Sequence, residues 1–120
     1  MLVVDDNVDA AEMLEMLLTK TGHEVRVVHD GRAALRAALD FRPDVVLLDI
    51  GLPGLDGYEV AKRIRQHPDL TSVVLVALTG YHQETNGQRS QEAGFDYYLV
   101  KPADFQNVQQ ILATVSERAK

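Results

Sequence analysis

Apolar and polar positions alternate along this chain with two different periods. Short β-rich runs appear at 1–4, 25–28, 44–48, 73–78 and 97–100. Between them the apolar residues recur at helical spacing. Ala11, Leu14, Leu17 and Leu18 predict an amphipathic helix over 8–21, stopped by Gly22. The Ala- and Leu-rich stretch 31–41 predicts a second helix, with Asp30 as its N-cap. Asp56 and Glu59 have the spacing of a capping box for a third, which carries Val60, Ala61 and Ile64 and ends before Pro68. In the last segment Phe105, Val108, Ile111, Leu112 and Val115 share one face, with Asp104 as the cap.

Strand–helix alternation of this kind implies parallel strands joined by right-handed crossovers. The runs 45–48 and 73–78 are apolar throughout, as central strands covered on both faces should be. Val25-Arg26-Val27-Val28 is mixed and suits a sheet edge. Five such units in one open sheet predict a doubly wound α/β fold. The stretch 82–93 fits least well: it is polar almost all round and holds Gly87, which costs a helix about 1 kcal/mol relative to Ala. The expectation there is a weakly anchored helix of low local stability.

Composition narrows the class. A chain of 120 residues can form one domain, here 1–120, with a real core. Its 46% hydrophobic and 25% charged residues are those of a soluble globular chain. The net charge of -6 leaves no basic surface for phosphates and argues against direct contact with nucleic acid. With no cysteine there is neither a disulfide framework nor a Cys-based zinc site. No apolar stretch approaches the roughly 20 residues of a membrane span, and Asp5 and Asp6 interrupt the first apolar run too early for a signal peptide. The expected location is the cytoplasm, without membrane insertion.

The candidate chemistry lies where the strands should end. Asp5 and Asp6 follow Met1–Val4, and Asp49 follows Val45–Leu48. Within such runs an unpaired carboxylate would be costly to bury. At the tip of a parallel strand it faces the crevice where open α/β sheets bind ligands. Three acids gathered there repel one another and call for a cation; a hard divalent metal with oxygen ligands is the natural one. Thr79 ends the fourth run, and Lys101, followed by Pro102, ends the fifth. Each alone reads as a turn or solvated residue, but together they suit phosphoryl transfer, which depends on positioning and on charges that offset the phosphoryl oxygens. A carboxylate can serve as the nucleophile, the other acids can hold the cation, and lysine and threonine can supply a compact charge and a donor. His23, His29, His67 and His82 lack metal-ligand spacing and read as surface or packing residues. Gly51, Gly54 and Gly57 are spaced for turns, with no Lys-Ser/Thr pair to make a phosphate-binding loop.

The motifs Val-Val-Asp5-Asp6-Asn7, Leu-Leu-Asp49-Ile-Gly-Leu-Pro53-Gly-Leu-Asp-Gly57, Ala-Leu-Thr79-Gly and Lys101-Pro102 occur in this order across the chain. The sequence resembles the receiver domain of two-component response regulators along essentially its whole length. The resemblance implies a flavodoxin-like (βα)5 fold with strand order 2-1-3-4-5. It implies that Asp49 accepts a phosphoryl group from a phosphohistidine on a histidine kinase or histidine phosphotransfer domain. Asp6, Asp49 and the backbone carbonyl of Gly51 would ligate Mg²⁺, with Asp5 acting largely through water. Lys101 would pair with Asp49 and then with the phosphoryl oxygens, and Thr79 would hydrogen-bond the group once it arrives. Tyr98 stands at the place of the family's aromatic switch. The face of 82–93, 97–100 and 104–119 would be the output surface, and Gly51 and Tyr81 hold positions that tune phosphoryl lifetime.

On this reading the protein is not an enzyme beyond its own phosphorylation and dephosphorylation. An aspartate-nucleophile phosphohydrolase would want a second acid two residues after Asp49, where Gly51 stands. A flavin-binding module would want a hydroxyl- and glycine-rich first loop, which Asp5-Asp6-Asn7 is not. A docking-only receiver would not need every acid together with Thr79 and Lys101. The short first strand and the chain's end after 104–119 suggest a stand-alone phosphotransfer protein or a receiver cut from a longer chain. The wording Asp-Ile-Gly-Leu-Pro-Gly is similar to receivers of hybrid histidine kinases.

Overall fold

The computed structural model describes residues 1–50, 57–70, 72–79, 94–100 and 105–118, with only the backbone for Thr79, Val100, Phe105 and 115–118. Within them the chain runs β1 (Leu2–Val4), α1 (Val8–Lys20), β2 (Arg26–Val28), α2 (Gly31–Phe41), β3 (Val45–Asp49), α3 (Gly57–Gln66), a 3₁₀ turn at Pro68–Leu70, β4 (Val74–Thr79), β5 (Tyr97–Val100) and α4 (Phe105–Arg118). All strand pairs are parallel, and the sheet order is β2-β1-β3-β4-β5, as expected. The mixed run at 25–28 is indeed an edge. Two strands end one residue later than the apolar pattern predicts. Asp49 and Thr79 are the last residues of β3 and β4, because the ladder continues past the apolar runs and Ile50 still donates its N–H to the Leu78 carbonyl at 3.1 Å. The expected helix over 82–93 and the caps at Asp56 and Asp104 lie outside the described residues.

The period of two sorts the strand residues onto two cores. Leu2, Val4, Val46, Leu48 and Leu75 face α2 and α3, where they meet Ala34, Ala37, Ala38, Val60, Ala61 and Ile64. Val3, Val45, Leu47, Val76, Leu78 and Leu99 face α1 and α4, where they meet Ala11, Leu14, Leu18 and Val108. Each fully buried Leu, Ile or Val contributes about 1.5–3 kcal/mol relative to exposure. The three buried alanines of α2, Ala34, Ala37 and Ala38, are small and face the sheet.

Helix ends follow local chemistry. Asn7 caps α1, its side chain accepting the Ala10 N–H at 3.1 Å. Asp30 caps α2 and accepts the Ala33 N–H at 2.8 Å. α2 ends on Arg42 in the left-handed region at φ 49°, a conformation that favours glycine, and Pro43 follows.

The amino edge of the sheet is held by one arginine. Arg65, from the end of α3, donates through Nε to the Gly94 carbonyl at 3.0 Å, through Nη1 to the Val73 carbonyl and through Nη2 to Asp96 Oδ2. The same Asp96 oxygen accepts the Leu75 N–H at 3.0 Å, and the Asp96 N–H donates to the Leu75 carbonyl at 2.8 Å. A planar guanidinium with fixed donors suits this task. It ties α3, the start of β4 and the approach to β5 together. Beside it, Tyr58 and Phe95 pack edge to face at 6.1 Å.

Candidate functional site

At the opposite edge of the sheet the carboxyl ends of β1 and β3 lie side by side. Val4 pairs with Leu48, so Asp5 and Asp49 come next at the same level of neighbouring strands. Asp6 follows Asp5 as the chain turns into α1. A carboxylate oxygen from each of Asp5, Asp6 and Asp49 lies within 4.8 Å of the other two. Asp5 and Asp49 are only 2% and 4% exposed, and Asp6 opens to solvent. Within the described residues the structure thus joins the three acids from two distant stretches of sequence.

Local bonds aim this cluster. Asp5 donates its N–H to the Val28 carbonyl at 3.2 Å, which fixes the end of β1 against β2. The Asn7 N–H donates to Asp5 Oδ1 at 2.9 Å, so the turn that starts α1 also orients the carboxylate. Asn7 therefore acts twice, through its side chain on the helix and through its backbone on the acid. On β3, the Ile50 N–H on the Leu78 carbonyl continues the ladder just beyond Asp49.

Gly57 completes the floor. It donates its N–H to the Ile50 carbonyl at 3.3 Å. A Cβ at this position would lie 2.4 Å from Ile50 Cα and 2.6 Å from the Asp49 carbonyl oxygen. Only glycine lets α3 start so close to the backbone that carries Asp49. The sequence marks Gly57 as a turn residue; it is instead the buried first residue of a helix, and its spacing alone does not reveal the close approach.

The donor set suits a hard divalent cation: three carboxylates, oxygen atoms only, two of them buried and one exposed. Two buried acids at this range oppose one another's charge, and a cation relieves that repulsion.

The other expected site residues divide. The backbone of Thr79 pairs with Val100, one residue beyond the level of Asp49, so both strand ends reach the same edge. Lys101, Gly51, Tyr81 and the segment 82–93 lie outside the described residues, as does the Thr79 side chain. Tyr98 is 45% exposed, whereas its neighbours Tyr97 and Leu99 pack toward α1 and α4. Sequence reasoning gave no separate role at the site to Asn7, to Gly57 or to His29, whose ring nitrogen Nδ1 lies 2.9 Å from the Asp5 carbonyl oxygen. His29 is exposed, as expected, but it touches the site.

Among the described residues no helix is long and apolar enough to cross a membrane.

Comparison with known proteins agrees with this architecture. The response regulator receiver domain family matches residues 1–113. The DNA-binding response regulator MtrA of Mycolicibacterium paratuberculosis is 41% identical over 101 residues, covering 84% of this chain and 44% of that protein. The chain thus spans less than half the length of this curated relative. The receiver domain of a signal transduction histidine kinase from Syntrophus aciditrophicus superposes with a TM-score of 0.88 at 29% identity, covering 99% of this chain and 90% of that one. The receiver domain of the sensor histidine kinase PA1611 from Pseudomonas aeruginosa gives 0.83 at 35% identity, covering 92% and 91%; that structure holds a magnesium ion in its active site cleft. With the match running over nearly all of its length and the sheet order the expected one, this chain belongs to the response regulator receiver domain family.

Proposed function

We propose that Asp49 is the phosphoacceptor of a two-component phosphorelay. The observation that carries this reading is the convergence of Asp5, Asp6 and Asp49 at the carboxyl edge of the sheet, with oxygens within 4.8 Å of one another. An Asp49 oxygen attacks the phosphorus of a phosphohistidine on a histidine kinase or histidine phosphotransfer domain. The P–N bond breaks, and its electron pair stays on the imidazole nitrogen, which takes up a proton. Asp6, Asp49 and the Gly51 carbonyl would hold Mg²⁺, with Asp5 contributing through water. When bound, the ion offsets the charge of the carboxylates and of the incoming phosphoryl oxygens. Lys101 pairs with Asp49 and then with the phosphoryl group, and Thr79 donates a hydroxyl to it.

Phosphorylation then alters the face of 82–93, 97–100 and 104–119, with Thr79 and Tyr98 as the switch and Gly51 and Tyr81 setting how long the phosphoryl group lasts. The chain turns over no external substrate beyond this self-modification. It works in the cytoplasm, makes no direct contact with nucleic acid, and passes its state to a protein partner.

The test is mass measurement after incubation with acetyl phosphate, with and without Mg²⁺. One added phosphoryl mass that requires Mg²⁺ and is absent in Asp49→Ala is the expected result. No adduct in the wild type with any phosphodonor would overturn the reading and favour a docking-only receiver.

A further inference from the structure

We infer that His29 is a positioning residue for the acid cluster and raises its affinity for a divalent cation. The inference rests on the cation-binding reading above and deepens it. Its basis is the way the β1–β2 ladder ends. In a parallel pair the bonds step by two residues along each strand. Here Arg26 donates its N–H to the Met1 carbonyl at 2.9 Å, and Asp5 donates its own to the Val28 carbonyl at 3.2 Å. The next rung would be the Asp30 N–H on the Asp5 carbonyl. β2 stops at Val28, however, the chain turns at Asp30 into α2, and that rung is not among the described bonds. The ring of His29 takes the place of that rung, with Nδ1 2.9 Å from the Asp5 carbonyl oxygen.

The chemistry of the pair fixes the direction of this bond. A carbonyl oxygen can only accept, so Nδ1 carries the hydrogen. Asp5 is then held at three atoms: its N–H by Val28, its Oδ1 by the Asn7 N–H, and its carbonyl by His29. The third of these matters most for the site. The Asp5 carbonyl belongs to the peptide plane that leads into Asp6, so holding it sets the direction in which the exposed Asp6 leaves the strand. Asp5 and Asp49 are fixed by burial and by their strands, whereas Asp6 stands on the turn into α1. His29 thus acts on the one acid of the three whose placement the sheet does not impose. Partners outside the ligand shell orient ligands in this manner, and their loss commonly weakens metal affinity.

The experiment uses the whole chain and Mg²⁺ as the probe. Mg²⁺ affinity is measured by calorimetry or by amide shifts in NMR titration for the wild type, His29→Ala, His29→Asn and Asp6→Asn. His29→Ala is expected to weaken Mg²⁺ binding by roughly tenfold, the low end of what loss of such a partner costs. Its thermal midpoint without Mg²⁺ should hardly move, because the ring is exposed. His29→Asn, whose side-chain amide can still donate to the carbonyl, should recover most of the affinity. In the metal-free protein the Asp5 carbonyl ¹³C shift should change in His29→Ala and return toward the wild-type value in His29→Asn. Equal Mg²⁺ affinity in the wild type and His29→Ala, with Asp6→Asn impaired, would overturn the inference and leave the cation site standing. No Mg²⁺ binding by the wild type would overturn both.

Discussion

The two edges of this sheet handle charge in opposite ways. At the amino edge Arg65 and Asp96 are each about a quarter to a third exposed, and every contact described for them is complementary. The guanidinium meets two carbonyls and a carboxylate, and the carboxylate also meets a backbone N–H. At the carboxyl edge three acids converge, two of them nearly fully buried. The first arrangement stabilises the fold by itself. The second gathers like charge, which backbone bonds and close packing at the strand ends hold in place. Complementary charge at the starts of β4 and β5 and converging acids at the ends of β1 and β3 thus occupy opposite edges of one sheet.

The contrast can be broken most sharply at Gly57, where the carboxyl edge depends on backbone proximity and not on charge. Gly57→Ala places a methyl group 2.4 Å from Ile50 Cα and should cost about 3 kcal/mol, with Mg²⁺ binding impaired as β3 and α3 move apart. Urea denaturation read alongside a Mg²⁺ titration would check both effects; an unchanged midpoint would mean that the helix start can yield without strain.

Arg65→Ala attacks the amino edge. It removes the partner of Asp96 and leaves two carbonyls without their donor, for an expected loss of about 2 kcal/mol, reduced by partial exposure. Mg²⁺ affinity should stay near that of the wild type, and this separates the two edges. Chemical denaturation and calorimetric titration of the same sample would measure it. Arg65→Lys should recover only part of the stability, since an ammonium cannot reach three acceptors with the geometry of a guanidinium.

Asp49→Asn should act in the opposite sense. Removing one of three crowded charges is expected to stabilise the metal-free protein by about 1 kcal/mol. It should also abolish the upward shift of the thermal midpoint that Mg²⁺ is expected to give the wild type through mass action. A variant less stable than the wild type without Mg²⁺ would show that the cluster is not under repulsive strain.

The smallest effect is expected at the exposed end of α2. Arg42 sits at φ 49° and ends α2, and its contact with Asp69 at 3.4 Å is exposed. Arg42→Gly should relieve the left-handed strain and raise stability by roughly 0.5 kcal/mol, because the greater freedom of glycine when unfolded offsets part of the gain. Differential scanning calorimetry would resolve it.

The candidate site was legible in the sequence as far as single residues reveal themselves. Asp5, Asp6 and Asp49 stand out because carboxylates after apolar runs contradict burial unless they lie at strand tips. Arg65 gave no such signal, since an arginine near the end of an amphipathic helix is ordinary, and its acceptors at Val73, Gly94 and Asp96 are 8, 29 and 31 residues away. His29 read as a surface residue, and by exposure it is one. Its bond to Asp5 spans 24 residues and exists only because β2 ends one rung short.

The order of strands and helices, the edge position of β2, the caps at Asp30 and the stop at Gly22 follow from periodicity and local backbone chemistry, which act within a few residues and leave their mark on neighbouring positions. The convergence of the three acids within 4.8 Å, the floor at Gly57 and the division of charge between the two edges depend on parallel register. Register is set by how whole strands pack against two layers of helices, so it brings residues together whose sequence neighbours say nothing of one another.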